Sequence, residues 1–452
     1  MLQEVLDRFE KQAPMSVMAR VALERALEPG WVDEVFEAHR HKQYSRELLF
    51  STVVELMSLV SLGLRPSLHA AARQAQLPVS LAAMYDKIRR TEPAILRGLV
   101  KGSAKRLAPV IDAMASPPSL AGWRLRVLDG NHLPASEKRL APLRGYRGAA
   151  LPGHTLVVYD PDTTLVTDIV ACEDAYASER SVAAPLLECA EAGEVWMADR
   201  NFCTRTLLQG WHDAKASFIV REHAKHPRLF YEGPWKACGR VETGLLREQE
   251  IGTQEGQAPW RRIELRLDAP TESGETTILL WSNLPREVSA RRIAELYRKR
   301  WRIEGMFQRL ESVLKSEIRS LGHPRAALLG FAVAVLAYNA LALLKRSVEH
   351  AHRDRQPQLD VSTYCLALLI RSSYEGMLVA LPAALWQPWS ETEPTAIARR
   401  LLDLAQHIDP RRVRTNKRGP KMDKPKGYVD GDLARAHVST ARVLEQAQAC
   451  RP

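Results

Sequence analysis

The sequence has few cysteines for its length, and their spacing argues against cysteine-based sites. Six cysteines are spread over 452 residues, at positions 172, 189, 203, 238, 365 and 450. No two of them are separated by only two residues, and no histidine cluster accompanies them, so we do not expect a zinc module. A disulfide-stabilised scaffold is not expected at this length either.

Long apolar runs are almost absent, and the N-terminus carries no signal-peptide core. The chain begins MLQEVLDRFEKQ, which is charged and amphipathic. Residues 327–344 are 18 residues without a formal charge, at the lower limit for a membrane span, but six are alanine and Tyr338 and Asn339 interrupt them. No second span exists, so a buried core helix is favoured. We therefore expect a cytoplasmic protein with no membrane partner.

Acidic residues are outnumbered, and the excess of positive charge indicates a polyanionic partner. Lys and Arg number 64 against 53 Asp and Glu, which gives a formal net charge of +11 and a pI near 9.4. Nucleic acid is the first candidate. Hydrophobic residues make up 46%, which is ordinary for a folded protein and excludes a wholly disordered chain. The length predicts about two to four domains.

Residues 1–115 read as a helical domain. Apolar residues recur at helical spacing, and Glu47 to Leu64 is long and apolar enough to be a core helix. The following segment has two short helical runs broken at Pro78 and ends in a cluster of basic residues. This helix-turn-helix character predicts a DNA-binding domain.

The pattern changes after Pro118 to one typical of a mixed α/β sheet. Strands are predicted at residues 123–133, 154–160, 164–172, 194–199 and 216–222. The first is expected to run into a turn at Asp129-Gly130. Ser178 is predicted to N-cap a helix that continues to about Ala192. Strands joined by turns, followed by alternating strand and helix, predict a sheet of mixed direction.

Beyond residue 222 the chain is first β-rich and then helical. Residues 222–285 contain four β-type runs separated by turn residues, which predicts a β-rich insertion. Ser289 is predicted to cap a long helix that ends near Lys315. Residues after 350 are helical but less regular. Residues 411–426 carry eight basic residues and one acidic residue with no periodicity, which predicts a flexible basic tail.

Three acidic residues are candidates for catalysis because of their positions. Asp129 and Asp199 lie at the ends of predicted strands, where the active sites of open sheets lie, and Glu304 lies in the helix after the insertion. Carboxylates at such positions can bind two Mg²⁺ ions and cleave a phosphodiester. The alternative is that each Asp is an ordinary turn residue, since such acids are common in this chain.

The helix around Glu304 is more specific. At about 100° per residue, Tyr297, Arg300 and Glu304 share one face beside an apolar side. A solvated charged helix with pairs such as Arg300 and Glu304 would explain the charges, but not the grouping of a Tyr, an Arg and a Glu on that face.

These motifs together resemble bacterial insertion-sequence DDE transposases. The string YRKRWRIE follows Asp199-Arg200-Asn201-Phe202 and, before that, Leu128-Asp129-Gly130. The chain is most similar to the insertion-sequence-four family, whose signature is Tyr-x2-Arg-x3-Glu-x6-Lys. Tyr297, Arg300 and Glu304 match it, but the signature Lys is replaced by Glu311, and Lys315 lies one turn later on the same face.

The resemblance implies an architecture and a division of the chain. It implies an RNase H-like mixed-sheet catalytic core interrupted by a β-rich insertion, between a helical N-terminal domain and a helical C-terminal region. The corresponding segments are a DNA-binding domain at 1–115, the first part of the core at 120–221, the insertion at 222–285, the second part of the core at 286–350, and a C-terminal region with a basic tail at 351–452.

The resemblance also implies a reaction and its residues. Asp129, Asp199 and Glu304 would bind two Mg²⁺ ions, which Mn²⁺ can replace, for cut-and-paste transposition with strand transfer of a 3′-hydroxyl. Partners would be the double-stranded inverted-repeat ends, target DNA and a second copy of the chain in a synaptic homodimer, in a bacterial, nucleoid-associated setting. Contacts to DNA are expected from Tyr297, Arg300, Arg302, Lys315, Arg200 and His132.

Two other functions fit the same residues. A structure-specific nuclease, such as a junction resolvase, would use the same carboxylates without recognising element ends. A catalytically inactive DNA-binding repressor would need only the N-terminal helices and the basic tail. Imperfect inverted repeats flanking the reading frame would favour transposition over both.

Overall fold

Helices precede the first strand in the computed structural model, which describes residues 2–416 apart from 42, 45–46, 226, 256–258, 272 and 316–319. Prolines in the first turn start several of them, and Ser67 and Ser80 cap two others through their side chains. The predicted helical character of this region is confirmed, including the break at Pro78 between α5 and α6. The helices are α1 (Leu2–Gln12), α2 (Pro14–Ala26), α3 (Pro29–His39), α4 (Phe50–Ser61), α5 (Leu68–Gln74), α6 (Leu81–Arg90) and α7 (Pro93–Asp112).

The next elements form an α/β core with the strand order β3-β2-β1-β4-β5. They are β1 (Arg124–His132), β2 (His154–Tyr159), β3 (Val166–Cys172), α8 (Ala184–Leu187), β4 (Glu194–Ala198), α9 (Arg205–Asp213) and β5 (Ser217–Arg221). The first three strands pair antiparallel, whereas β1 with β4 and β4 with β5 pair parallel. This arrangement is RNase H-like, and the predicted mixed-sheet fold class is confirmed.

The predicted β-rich segment extends the core sheet. It contains β6 (Tyr231–Glu232), β7 (Lys236–Val241), β8 (Gly244–Gly252), β9 (Trp260–Leu267) and β10 (Thr277–Ser282). Strand β10 pairs antiparallel with β5, so the insertion and the core form one ten-stranded sheet among the described residues.

Helices follow the sheet to the end of the described chain. They are α10 (Ala290–Arg298), α11 (Arg302–Leu314), α12 (Pro324–Ala351), α13 (Thr363–Ala380), α14 (Pro394–Gln406) and α15 (Pro410–Val413). The predicted cap is confirmed, because the Ser289 hydroxyl accepts a hydrogen bond from Arg292 N at 3.2 Å. The predicted long helix is interrupted by a 3₁₀ turn at Lys299–Trp301, which separates α10 from α11.

Helix α12 lies at the centre of the helical layer, where it packs against α2, α4, α7 and α14. It is the one described helix long and apolar enough to cross a membrane, but 94% of its apolar window is buried within the protein. Its residue Asn339 is fully buried and bonds both backbone groups of Val166 on the edge strand β3, each at 2.9 Å. The predicted core helix is therefore confirmed.

Two local predictions are wrong. Asp129-Gly130 is not a turn, because β2 supplies pairing partners through His132 and β1 continues to that residue. No helix begins at Ser178. The side chains of Glu179 and Arg180 bond Asn201 instead, and only the short α8 forms, from Ala184.

The basic tail lies mostly outside the described residues. Its first residues are ordered, because Arg411 and Arg412 belong to α15 and Arg414 pairs with Val361 in an isolated β-bridge. Residues 1–414 form one compact unit. The division of the chain into functional domains stays a prediction.

Candidate active site

The register of the sheet brings Asp129 and Asp199 together. Leu128 on β1 is paired with Ala198 on the parallel strand β4, and each acidic residue is the next one along its chain. The Asp129 carboxylate accepts a hydrogen bond from Gly130 N at 3.0 Å, and Asp199 accepts one from Asn201 N at 2.8 Å. Two carboxylates from different parts of the sequence thus lie side by side, towards the carboxyl-terminal ends of the neighbouring central strands β1 and β4.

Helix α11 packs against β1 and brings Glu304 to the same end of these strands. Arg300, in the 3₁₀ turn before α11, joins the two elements. Its Nη1 atom lies 3.0 Å from Asp129 Oδ2, and its Nη2 atom lies 3.4 Å from Glu304 Oε1. Only 9% of Arg300 is exposed. The guanidinium is therefore a buried cation shared by two of the three predicted catalytic acids.

Ionisation of the Asp129 carboxylate is disfavoured even beside Arg300. Burial is the main cause that raises its pKa to about 6, and the neighbouring charges of Asp199 and Glu179 raise it further while Arg300 opposes them. Burial disfavours the charged form, and one guanidinium does not offset it. Additional positive charge at this site would stabilise the ionised carboxylate.

Tyr297 lies beside Arg300 in the same buried region. Its ring centroid is 5.9 Å from the guanidinium carbon, and the ring of Trp301 is 5.4 Å from that carbon on the exposed side. Burial raises the pKa of Tyr297 to about 12, although Arg300 and Arg221 favour the ionised form. The hydroxyl is therefore neutral at physiological pH and can donate a hydrogen bond.

This geometry coincides with a known catalytic domain. Residues 124–340 match the transposase DDE domain. The matched segment begins with β1 and ends inside α12, so it contains all three acidic residues together with Arg300 and Tyr297. The predicted transposase class agrees with this match. The assignment to the insertion-sequence-four family stays a prediction.

Two further proteins are similar to this chain. The transposase for insertion sequence element IS421 of Escherichia coli is 27% identical over 46% of this chain. The chain spans 62% of the length of that relative. A cryo-EM structure of the piggyBac transposase synaptic complex with hairpin DNA aligns with a TM-score of 0.39 and 10% identity, covering 93% of this chain and 89% of that one.

Four other residues are predicted to contact DNA, and not all of them lie beside Asp129, Asp199 and Glu304. Arg302 donates to Pro161 O at 2.9 Å and lies on the opposite side of α11 from Glu304. Arg200 is exposed, 3.4 Å from Glu275. His132 ends β1 and stacks on His154 with ring centroids 5.3 Å apart. Lys315 ends α11 in a left-handed conformation, with φ of 42°.

The departure from the signature lies close to Glu304. Glu311 and Glu304 both line a cavity of about 270 Å³, together with Gln308 and Asn131. A second carboxylate therefore takes the place of the signature lysine on this side of α11. Lys315 is exposed one turn further along.

Glu179 is a site residue that the sequence did not predict. It influences the charge of Asp129, and its carboxylate accepts a hydrogen bond from Asn201 Nδ2 at 2.6 Å. It also lies so close to Gly130 that a Cβ atom there would require the end of the Glu179 side chain to move. Glu179 lies in a loop without periodicity, so the sequence contains no local signal for it.

The donor chemistry of Asp129, Asp199 and Glu304 suits a hard divalent cation. Oxygen-only carboxylate ligands are typical of Mg²⁺ and Mn²⁺ rather than zinc. In the described part of the chain no three His, Cys, Asp or Glu side chains are already gathered as a metal site. Arg300 instead forms ion pairs with two of the acids, Asp129 and Glu304. A bound cation would add to the positive charge of Arg300 at this position or would displace its guanidinium group.

Proposed function

We propose that this chain is the transposase of a bacterial insertion sequence of the insertion-sequence-four family. The observation that carries the proposal is the adjacency of Asp129 and Asp199, with Glu304 joined to Asp129 through Arg300, inside a segment that matches the transposase DDE domain. The reaction would be hydrolysis of a phosphodiester at each element end, followed by attack of the freed 3′-hydroxyl on target DNA.

Asp129, Asp199 and Glu304 would hold two Mg²⁺ ions, which Mn²⁺ can replace. Bound there, the ions would activate water and stabilise the leaving oxygen. The carboxylates contribute an anionic site, and burial, which raises the pKa of Asp129 to about 6, disfavours its ionised form, a cost that bound cations would offset.

Arg300 would exchange carboxylate partners for DNA phosphate. In the structure two of its donor nitrogens, Nη1 and Nη2, are engaged by Asp129 and Glu304. If those carboxylates held divalent cations, the guanidinium fork would be available to bind a phosphate of the element end bidentately. The neutral Tyr297 hydroxyl beside it can donate to the same backbone. His132 would border the path of the cleaved strand.

The partners follow from this reaction. They are the inverted-repeat ends, target duplex and a second copy of the chain, since two ends must be held together for synapsis. The chain would act on DNA in the bacterial cytoplasm, in association with the nucleoid, and not at a membrane.

Purified protein and the DNA flanking its gene provide the test. We expect nicking at the boundary of a terminal inverted repeat in Mg²⁺ and no nicking in EDTA. A nuclease would cleave branched DNA regardless of the repeat, and a repressor would bind the repeat without cutting it. Either of those results would replace the transposase proposal with the corresponding alternative.

Replacing Arg300 with alanine is expected to weaken binding to the repeat duplex and flatten its salt dependence. Each phosphate contact that is lost lowers the slope of log affinity against log salt by about 0.9. Fluorescence anisotropy over a range of potassium chloride concentrations, with Mg²⁺ replaced by non-catalytic Ca²⁺, measures the slope. Arg298→Ala is the control, because Arg298 is exposed and paired with Glu242. An Arg300→Ala slope equal to that of the control would contradict the phosphate role.

A further inference from the structure

A second group of cations lies on the face of α11 that points away from the carboxylates. Arg302 and Arg309 are seven residues apart and therefore share a face, whereas Glu304 is about 200° away from Arg302 around the helix. Arg302 and Arg309 line a cavity of about 770 Å³ together with Lys299, Lys345 and Arg346. We name this space the arginine cavity.

The three arginines of the cavity form no ion pair with an acidic residue among the described residues. Arg302 bonds only the Pro161 carbonyl, and Arg309 lies against the buried hydroxyl of Tyr338. The Nε atom of Arg346 is buried without any hydrogen-bond partner. Lys345 differs, since it pairs with Glu349 at 2.9 Å and Asp360 at 2.5 Å.

The remaining charges do not neutralise the arginines. Asp162 is the third acid that lines the cavity, and its carboxylate is engaged by Ser119, which also accepts from Lys299. Three uncompensated guanidinium groups around one cavity repel each other, and an anion between them would relieve that repulsion. Guanidinium donors form a planar fork that matches phosphate oxygens, so phosphate is the anion that fits best.

We propose that the arginine cavity binds backbone phosphates of the target DNA. The inference rests on the proposed function, in which a cleaved end occupies the Arg300 and Glu304 face and a second duplex must approach it. The two faces are separated by the thickness of one helix, about 10–12 Å, so cations of the cavity are within reach of DNA brought to the catalytic edge. Trp301, 62% exposed, also lines the cavity and lies in the turn that connects both faces.

Binding of a duplex that lacks the terminal repeats tests the proposal. In EDTA, Arg302→Gln/Arg346→Gln is expected to lower the slope of log affinity against log salt by about 2, because about 0.9 is lost for each phosphate contact. The double variant Arg302→Lys/Arg346→Lys keeps both charges and is expected to retain the slope. Arg291→Gln is the matched control, since Arg291 is exposed on α10 and paired with Glu295.

The outcomes separate this proposal from its alternatives. An unchanged slope in the Gln double variant, or equal losses in the Gln and Lys variants, would overturn it. So would tight binding of ATP or inorganic phosphate that the Gln variant abolishes while duplex binding is unaffected, since the cavity would then serve a small phosphate ligand. The EDTA measurement requires no catalysis. An unchanged slope beside Asp129-dependent nicking would therefore reject the arginine cavity alone, whereas absent nicking would reject the proposed function.

Discussion

Replacing Asp129 with asparagine is expected to reduce Mg²⁺-dependent nicking of the repeat-bearing duplex by on the order of a thousandfold or more. Asparagine has nearly the same shape and can still accept a hydrogen bond from Gly130 N, but it removes the negative charge. That charge lies beside Asp199 and 3.0 Å from Arg300, where the proposed cations would bind. The single-turnover rate of nicking measures the effect.

DNA binding provides the internal control for this variant. Asp129 contributes negative charge, so its loss is expected to leave affinity for the duplex unchanged or slightly higher. Asp213→Asn is a matched substitution at an exposed residue of α9, far along the chain from the acids, and should nick at the rate of the unaltered protein. Nicking by Asp129→Asn within tenfold of that control would remove Asp129 from the proposed site.

Arg300 explains how three acids coexist before any cation is bound. Burial, followed by the like charges of Asp199 and Glu179, disfavours ionisation of Asp129 and raises its pKa to about 6, while Arg300 opposes this shift. Arg300 contacts two of the acids while Tyr297 and Trp301 flank its guanidinium group. Arg300 stabilises the carboxylates when no cation is bound. If bound cations released Arg300 to contact a DNA phosphate, metal binding would be coupled to DNA binding.

Much of this site follows from local sequence patterns. The strands that contain or precede Asp129 and Asp199 alternate or are uniformly apolar, and Ser289 caps α10, which leads towards Glu304. These signals depend on residues close together in the chain, so they predict the strands and the helical region around Glu304, but not the 3₁₀ turn that separates α10 from α11. The fold class follows from the order of those elements. Strands β1 and β4 can pair parallel only if a long connection lies between them, and the segment from β2 to α8 provides that connection.

The errors arise where distant residues decide the local structure. Gly130 looks like a turn residue, but its pairing with Leu156 on β2 keeps it in a strand, beside the Glu179 side chain. Ser178 looks like a helix cap, but the loop after it is held by bonds to Asn201. None of these contacts is visible in the spacing of residues.

Asn339→Leu is expected to cause a large loss of stability that is independent of catalysis. The Asn339 side chain accepts from Val166 N and donates to Val166 O, and both residues are fully buried. Leucine would leave the amide and the carbonyl of an edge strand without partners in an apolar environment. Each buried backbone group left unsatisfied costs about 1–3 kcal/mol, so the two together predict a loss of about 2–6 kcal/mol in the free energy of unfolding.

The urea midpoint of unfolding, followed by circular dichroism, measures this loss. Ser347→Ala on the same helix is the matched control, because the buried Ser347 hydroxyl bonds the Leu343 carbonyl of its own helix and its removal leaves no strand group unpaired. The control should shift the midpoint only slightly. If Asn339→Leu behaved like Ser347→Ala, the added apolar contact of leucine would be offsetting the lost bonds, and α12 would hold β3 by packing alone. A larger shift for Asn339→Leu would instead show that the side-chain amide of Asn339 joins the helical layer to the edge strand β3.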